Sequence, residues 1–104
     1  MSYEIVFTIV KRGLSQTVID ASNSAGAHGA TVVQARGGSC EGTDKLFSQP
    51  LDPEKEIIMI LIDKEKTQGV KEAIEKELKS HQAEKWVLFV TDVNRTTGLF
   101  TGKK

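Results

Sequence analysis

Apolar residues recur along this chain at spacings that predict strands and helices in turn. The first segment, Tyr3–Val10, is rich in β-branched and aromatic residues and places every second one on the same face, which is typical of a strand. A helix is then predicted to begin near residues 13–15, because its apolar residues recur three or four positions apart. These residues are Leu14, Val18, Ala21 and Ala25. Gly26 follows directly, and glycine is the residue that most often ends a helix.

Three further strands and a second helix follow from the same kind of pattern. The predicted strands cover residues 30–35, 56–62 and 85–93. The middle one is a continuous apolar run, which is typical of a central strand buried on both faces. Thr67 is a suitable N-cap for a helix that ends near residues 80–81, and glutamates precede lysines by four residues on its exposed side. The predicted order of elements is therefore βαββαβ.

This order predicts a ferredoxin-like α+β sandwich, a four-stranded antiparallel sheet with two helices on one face. The length of 104 residues fits one such domain. Apolar residues fall on both sides of the first and last strands, so we expect the uncovered face of the sheet to pack against another subunit. A domain of this size is modestly stable alone, which makes subunit contacts favourable.

The charge balance argues against two classes of partner. Fourteen basic and fourteen acidic residues give a formal net charge of zero, so the chain lacks the basic excess of a nucleic-acid-binding protein. No apolar stretch is long enough to insert in a membrane. The single cysteine, Cys40, cannot form an intrachain disulfide, and the expected location is the cytoplasm.

Residues 37–53 are predicted to form a loop, because they are rich in glycine, serine and threonine and end at Pro53. Loops of this length in so small a domain usually have a function or are disordered. At its start, Arg36 precedes Gly37 and Gly38, and a cation beside exposed backbone N–H groups can bind an anion such as phosphate. A simple turn at the loop entry is the alternative. Cys40 is either a reactive thiol or a passive surface residue.

The remaining polar residues give little indication of catalysis. Neither His28 nor His81 has a second histidine, cysteine or carboxylate at metal-ligand spacing, so we expect an ordinary turn histidine and an ordinary helix-end histidine. Trp86 and Phe89 are expected in the core or at an interface. The chain contains no Ser/His/Asp arrangement, Walker loop or dinucleotide-binding fingerprint, and we therefore expect no enzyme activity.

The chain resembles the PII nitrogen-regulatory proteins, in particular their divergent PII-like branch. The resemblance covers most of residues 3–99 and depends on three segments: Gly26-Ala-His-Gly-Ala-Thr-Val32 with its continuation to Arg36-Gly37, the long loop placed like the family's T-loop, and Lys85–Val93. It implies a ferredoxin-like homotrimer that binds adenine nucleotides between its subunits. It also implies that ATP, ADP or AMP acts as effector and that the T-loop regulates a target protein, whose identity is unknown.

The resemblance also implies a ligand site, with Gly29 and Thr31 near the nucleotide, Arg36 and Gly37 at the base of the T-loop and Lys85 near the phosphates. Together with the anion-binding interpretation of the loop entry, the candidate ligand-binding residues are Gly29, Thr31, Arg36, Gly37, Gly38 and Lys85. Among its departures from the family, one segment concerns this site. Where PII proteins have a glycine-rich phosphate loop, this chain has His81-Gln-Ala-Glu84, and a carboxylate is unfavourable beside a phosphate.

Two other classes share the predicted architecture. A metal-responsive trimer similar to the CutA divalent-cation-tolerance proteins would require a cluster of cysteine, histidine or carboxylate ligands. A small ferredoxin-like enzyme of the dimeric α+β barrel type would require an acid/base pair in a pocket. His28 or His81 beside a buried carboxylate would favour the enzyme.

Overall fold

The computed structural model describes residues 2–36 and 54–98, which form four strands and two helices. The elements are β1 (Tyr3–Lys11), α1 (Ser15–Ser24), β2 (Thr31–Arg36), β3 (Glu54–Asp63), α2 (Lys64–Ser80) and β4 (Val87–Val93). The sheet has the strand order β2-β3-β1-β4, and every neighbouring pair is antiparallel. The predicted ferredoxin-like βαββαβ fold is therefore confirmed.

The core lies between the two helices and one face of the sheet. Alternate residues of β1 and β3 point towards the helices, and they meet one apolar stripe from each helix. The fully buried apolar side chains are Val6, Val10, Val18, Ile58, Ile60, Val70, Ile74 and Leu78. Burial of one such aliphatic side chain contributes about 1.5–3 kcal/mol, so this layer supplies much of the driving force for folding. The predicted apolar face of α1 is confirmed, because Leu14 and Ala25 also pack against this cluster.

Helix α1 ends where the sequence predicts. Gly26 follows the C-cap residue Ala25 with φ +111°, and its backbone N–H donates to the carbonyl of Asn23 at 3.1 Å. This conformation lies in the region that glycine adopts without steric cost. The chain then turns away from the helix and enters β2.

Helix α2 begins earlier than predicted, and Thr67 is not its N-cap. Asp63 has this role, because its side chain accepts a hydrogen bond from the backbone N–H of Glu65 at 3.1 Å. Thr67 is buried inside the helix, with its hydroxyl 3.5 Å from the carbonyl oxygen of Asp63. The first turn of α2 is polar and exposed, so the apolar periodicity that starts at Val70 did not reveal it.

Strand β3 is central, but only one of its faces is buried within the subunit. Residues 56, 58, 60 and 62 are buried, whereas Ile57 and Met59 are half-buried and Leu61 is 39% exposed. The expectation of burial on both faces is therefore wrong for a single chain. The reason is that both helices cover the same side of the sheet.

The face of the sheet away from the helices, here called the open face, is apolar. Strand register aligns its side chains in rows: Val33, Ile57, Ile9 and Val87 in one, and Thr31, Met59, Phe7 and Phe89 in the next. The rings of Phe7 and Phe89 stack with their centroids 4.9 Å apart. Val33 is 40% exposed, Val87 52% and Phe89 46%. Adjacent apolar side chains with this exposure mark a surface suited to contact with protein.

Candidate functional site

One end of the sheet, here called the loop-base end, carries both strand termini that flank residues 37–53. Strand β2 ends at Arg36 and β3 begins at Glu54, and these two residues are partners in the strand register. Strand β1 also ends here and β4 begins here, because both are antiparallel to their neighbours. The β1–α1 turn and the α2–β4 turn therefore lie at the same end of the sheet.

Arg12 connects the β1–α1 turn to the first residue of β3. Its guanidinium nitrogen lies 2.6 Å from the Glu54 carboxylate, and its backbone N–H donates to the Glu54 carbonyl at 3.3 Å. The hydrogen bond and the negative charge of Glu54 raise the pKa of Arg12. Glu54 is also the backbone register partner of Arg36.

Glu56 is a buried carboxylate beside this row. It is 7% exposed and lies on the helix-covered face of β3. One carboxylate oxygen accepts hydrogen bonds from the backbone N–H groups of Gly13 at 3.3 Å and Ser15 at 3.2 Å. The other accepts from the side-chain amide of Gln34 at 3.3 Å. Burial alone would raise the pKa of Glu56, but the hydrogen bonds from Ser15, Gln34 and Gly13 outweigh it, and the pKa is lowered.

These contacts explain how α1 begins. The N-cap position is held by Leu14, whose side chain cannot accept a hydrogen bond, and no residue of the first turn is acidic. The first N–H groups of a helix need acceptors, and the helix dipole favours a negative charge at this end. Glu56 supplies both the hydrogen-bond acceptor and the negative charge, although it is 41 residues further along the chain than Ser15.

Lys85 lies in the turn between α2 and β4, which is held in an unusual backbone conformation. Gln82 has φ +55° and Lys85 has φ +59°, a region that residues other than glycine rarely occupy. Strand β4 consequently begins at Val87 and not at the predicted residue 85. Trp86 packs against the core cluster beside this turn, as expected, while the Lys85 side chain is exposed.

The candidate ligand-binding residues fall in two regions. Arg36 and Lys85 both lie at the loop-base end, but they adjoin β2 and β4 at opposite edges of the sheet, about 14 Å apart for three strand spacings. Thr31 begins β2 opposite Met59, about 17 Å along the strand from Arg36, and Gly29 precedes it. Gly37, Gly38 and Cys40, with the rest of the predicted loop at 37–53, lie outside the described residues.

His81 lies at a helix end as expected, and His28 lies in the connection between α1 and β2. His28 is exposed in the segment before β2. His81 is the C-cap of α2, with its Nδ1 2.8 Å from the Glu77 carbonyl oxygen and 3.7 Å from the Glu77 carboxylate, which is itself exposed. Within residues 2–36 and 54–98, no group of three or more His, Cys, Asp or Glu side chains is arranged to hold a metal ion.

Three residues of the loop-base end were not predicted from the sequence: Arg12, Gln34 and Glu56. Arg12 and Gln34 gave no local signal, because their partners are 42 and 22 residues away. Glu56 could have been recognised by its position. It shares the alternation of the buried residues 58, 60 and 62, so a carboxylate there points towards the core and needs hydrogen-bond donors.

Comparison with known proteins assigns the family. The family model of the nitrogen regulatory protein P-II matches residues 4–98. The chain belongs to the PII family. Members of the PII family are signalling proteins and not enzymes, so the expected absence of enzyme activity agrees with the family. No curated protein matches the sequence.

Solved structures have the same fold as this PII family member. A DUF3240 family protein from Shewanella baltica is 12% identical, with 96% of this chain and 99% of that chain covered and a TM-score of 0.72. CPII from Thiomonas intermedia, bound to ADP, AMP and acetate, is 19% identical over 92% and 90% of the two chains, with a TM-score of 0.67. PII from Arabidopsis thaliana, bound to citrate, is 25% identical over 88% and 78%, also with a TM-score of 0.67.

The described part of this PII family member has no membrane-spanning helix. Neither α1 nor α2 has the length and apolar character that crossing a bilayer requires.

Proposed function

We propose that this PII family member senses an adenine nucleotide or a small anion and regulates a partner protein through residues 37–53. The observation that carries the proposal is the family match over residues 4–98. The ligands of two similar structures support the ligand class, since CPII is bound to ADP, AMP and acetate and Arabidopsis PII is bound to citrate. We propose that the protein acts in the cytoplasm.

The proposed ligand site lies at the loop-base end. Arg36 contributes a positive charge, the backbone N–H groups of Gly37 and Gly38 bind anionic oxygens, and Lys85 contributes a second cation. The sheet edges that carry Arg36 and Lys85 are about 14 Å apart, so within one subunit only fully extended side chains would meet at one phosphate. We therefore combine these residues across two subunits, with Gly29 and Thr31, at the other end of β2, near the nucleotide.

The proposed assembly is a homotrimer held by the open face. Its exposed apolar residues on three strands would be covered by neighbouring copies. Burial of apolar surface stabilises an assembly by about 25 cal/mol per Å², so a face of this kind favours association. A site between subunits then exists only in the assembled protein.

Regulation follows from unequal affinity for two states of the loop. A ligand at the loop base shifts the equilibrium only if it binds one loop state more tightly than the other. A tenfold difference in affinity corresponds to about 1.4 kcal/mol, enough to change which state a partner encounters. The family name concerns nitrogen regulation, and we propose the same broad role here without specifying the partner.

We expect ADP and AMP to bind more tightly than ATP. Glu84 is exposed in the same turn as Lys85, and its negative charge repels the additional phosphate of ATP. Titration calorimetry with ATP, ADP, AMP and citrate tests the proposal. Saturable heat with at least one of them is the expected result, and no heat or thermal shift at millimolar concentration of any would contradict it.

The residues of the site are tested by replacing both cations. Arg36→Ala with Lys85→Ala should weaken binding at least about tenfold, because each hydrogen-bonded cation contributes on the order of 1–3 kcal/mol, and the oligomeric mass should be unchanged. Lys64→Ala with Lys76→Ala is the matched control, since it removes two exposed cations from α2. Unchanged affinity in the first double variant would exclude the proposed site.

A further inference from the structure

Glu56 has contacts that join three separate parts of the loop-base end. It belongs to β3, the strand that leaves residues 37–53, and it accepts a hydrogen bond from Gln34 of β2, the strand that enters them. Its other oxygen accepts from Gly13 and Ser15 at the start of α1. Both strands that flank the loop are thereby tied to one helix terminus.

The charged groups around Glu56 fit this arrangement. Arg12 lies in the turn that supplies the Gly13 N–H, and its pKa is raised mainly by Glu54 and, to a smaller extent, by the charge of Glu56. Glu54 precedes Glu56 by two residues on the same face of β3 and is neutralised by Arg12 at 2.6 Å. The carboxylate of Glu56 therefore accepts hydrogen bonds from the β1–α1 turn, β2 and α1.

We propose that Glu56 is a positioning residue, which couples the two strands at the loop base to the first turn of α1 through its contact with Gln34. Among the hydrogen bonds described, Gln34 makes none to Gly13 or Ser15, whereas Glu56 bonds to all three, so Glu56 is the direct connection between Gln34 and those amides. The consequence for ligand binding rests on the function proposed above, whereas the coupling within the ligand-free chain does not.

The contact can be broken from its exposed side without changing a core residue. Gln34→Glu places two carboxylates against each other, which removes the hydrogen bond and displaces the Glu56 side chain. Gln34→Ala removes the donor without adding charge. The double variant Gln34→Glu with Glu56→Gln reverses the pair, because the amide at position 56 can donate to the carboxylate at position 34 while its oxygen still accepts from α1.

The matched control is Gln68→Glu. Gln68 is an exposed glutamine whose side-chain amide donates to the Glu72 carboxylate at 2.9 Å, so the substitution creates the same pair of carboxylates. This pair lies within one turn of α2 and does not involve the loop-base end.

The experiment measures amide hydrogen exchange of Gly13 and Ser15 in the full-length, ligand-free protein, and ADP affinity in parallel. Gln34→Glu should accelerate exchange of these two amides on the order of tenfold, Gln34→Ala by less, and the reversed pair should restore slow exchange. Gln68→Glu should leave them unchanged. Failure of ATP, ADP, AMP and citrate alike to bind the wild type would contradict the proposed function but not the coupling through Glu56.

Any of three results would overturn the positioning proposal. Gln34→Glu could leave the exchange of Gly13 and Ser15 like that of the Gln68→Glu control. Exchange could instead rise uniformly at all slowly exchanging amides, which indicates global destabilisation. Thirdly, the reversed pair could fail to restore slow exchange of the two amides. If ADP binds the wild type, its affinity should fall with Gln34→Glu and recover with the reversed pair, which loss of packing alone does not predict.

Discussion

Glu56 links its own ionisation to folding. Its pKa in the folded chain lies below the ordinary value of 4.5, so the folded state holds the proton less tightly than the unfolded state. The resulting stabilisation is fully present above the unfolded pKa and is lost as the pH falls through the folded pKa. We expect the free energy of unfolding of the wild type to exceed that of Glu56→Gln near neutral pH, and the difference to shrink below about pH 4.5.

Urea unfolding between neutral pH and the lowest pH at which the protein remains soluble measures this difference. A difference that stays constant with pH would mean that the charge of Glu56 does not contribute. Asp63→Asn provides a comparison, because it removes a charge that lies away from the loop-base end and keeps a side-chain oxygen at the N-cap of α2.

Thr8 gives a second prediction for a single residue. Its side chain is fully buried in the core, and among the described residues its hydroxyl has no hydrogen-bond partner. Thr8→Val replaces the hydroxyl with a methyl group of similar size, and we expect it to raise the free energy of unfolding by about 1 kcal/mol. Thr8→Ser should lower it by about 1 kcal/mol, since it removes a buried methyl group and keeps the hydroxyl. Destabilisation by both variants would show that the hydroxyl is satisfied.

The site residues differ in how far the sequence could predict them. Arg36 was found because a cation before two glycines at a strand end is a local pattern. The contacts of Arg12, Gln34 and Glu56 depend on strand register between residues 22 to 43 positions apart, and hydrophobic spacing alone does not define that register. Only the alternation of Glu56 with buried residues gave a signal.

Among the helices and strands, α2 allows a test of how its N-cap contributes to stability. Asp63 accepts a hydrogen bond from the Glu65 N–H and so caps the helix that carries Val70, Ile74 and Leu78 into the core. Asp63→Ala should lower the free energy of unfolding by about 1 kcal/mol, while Asp63→Asn should have little effect at neutral pH because it keeps a side-chain acceptor. Thermal or chemical denaturation measures both, and equal destabilisation by the two variants would contradict the assignment of the cap.

The sequence predicted the elements well where apolar periodicity extends through them. The faces of β1 and α1 and the end of α1 at Gly26 are confirmed, because alternation, helical spacing and a glycine stop are all local properties. The start of α2 and the start of β4 were wrong by a few residues. In both places a polar segment precedes the apolar pattern, and its conformation depends on the cap at Asp63 and on the left-handed conformation of Lys85.

The open face of the sheet is apolar and exposed in the single subunit. We therefore expect that the assembly can be disrupted without unfolding the subunit. Val33 and Val32 are adjacent in β2 and similarly exposed, at 40% and 37%, but they point to opposite faces of the sheet. Val33→Glu should reduce the oligomeric mass because it places a charge in the proposed subunit interface. Val32→Glu is the matched control and should leave the mass unchanged.

Light scattering coupled to size exclusion gives the mass, and circular dichroism confirms that the subunit remains folded. A wild type that is a stable monomer would contradict the proposed trimer, and so would equal dissociation by the two valine variants.

We propose that a ligand at the loop-base end changes the state of residues 37–53. Hydrogen exchange of this segment, measured with and without saturating ADP, tests this proposal. We expect a ligand-dependent change in the wild type that disappears in the Arg36→Ala/Lys85→Ala variant and persists in the Lys64→Ala/Lys76→Ala control. Identical exchange in the presence and absence of ADP, at a concentration where calorimetry indicates saturation of the wild type, would contradict it.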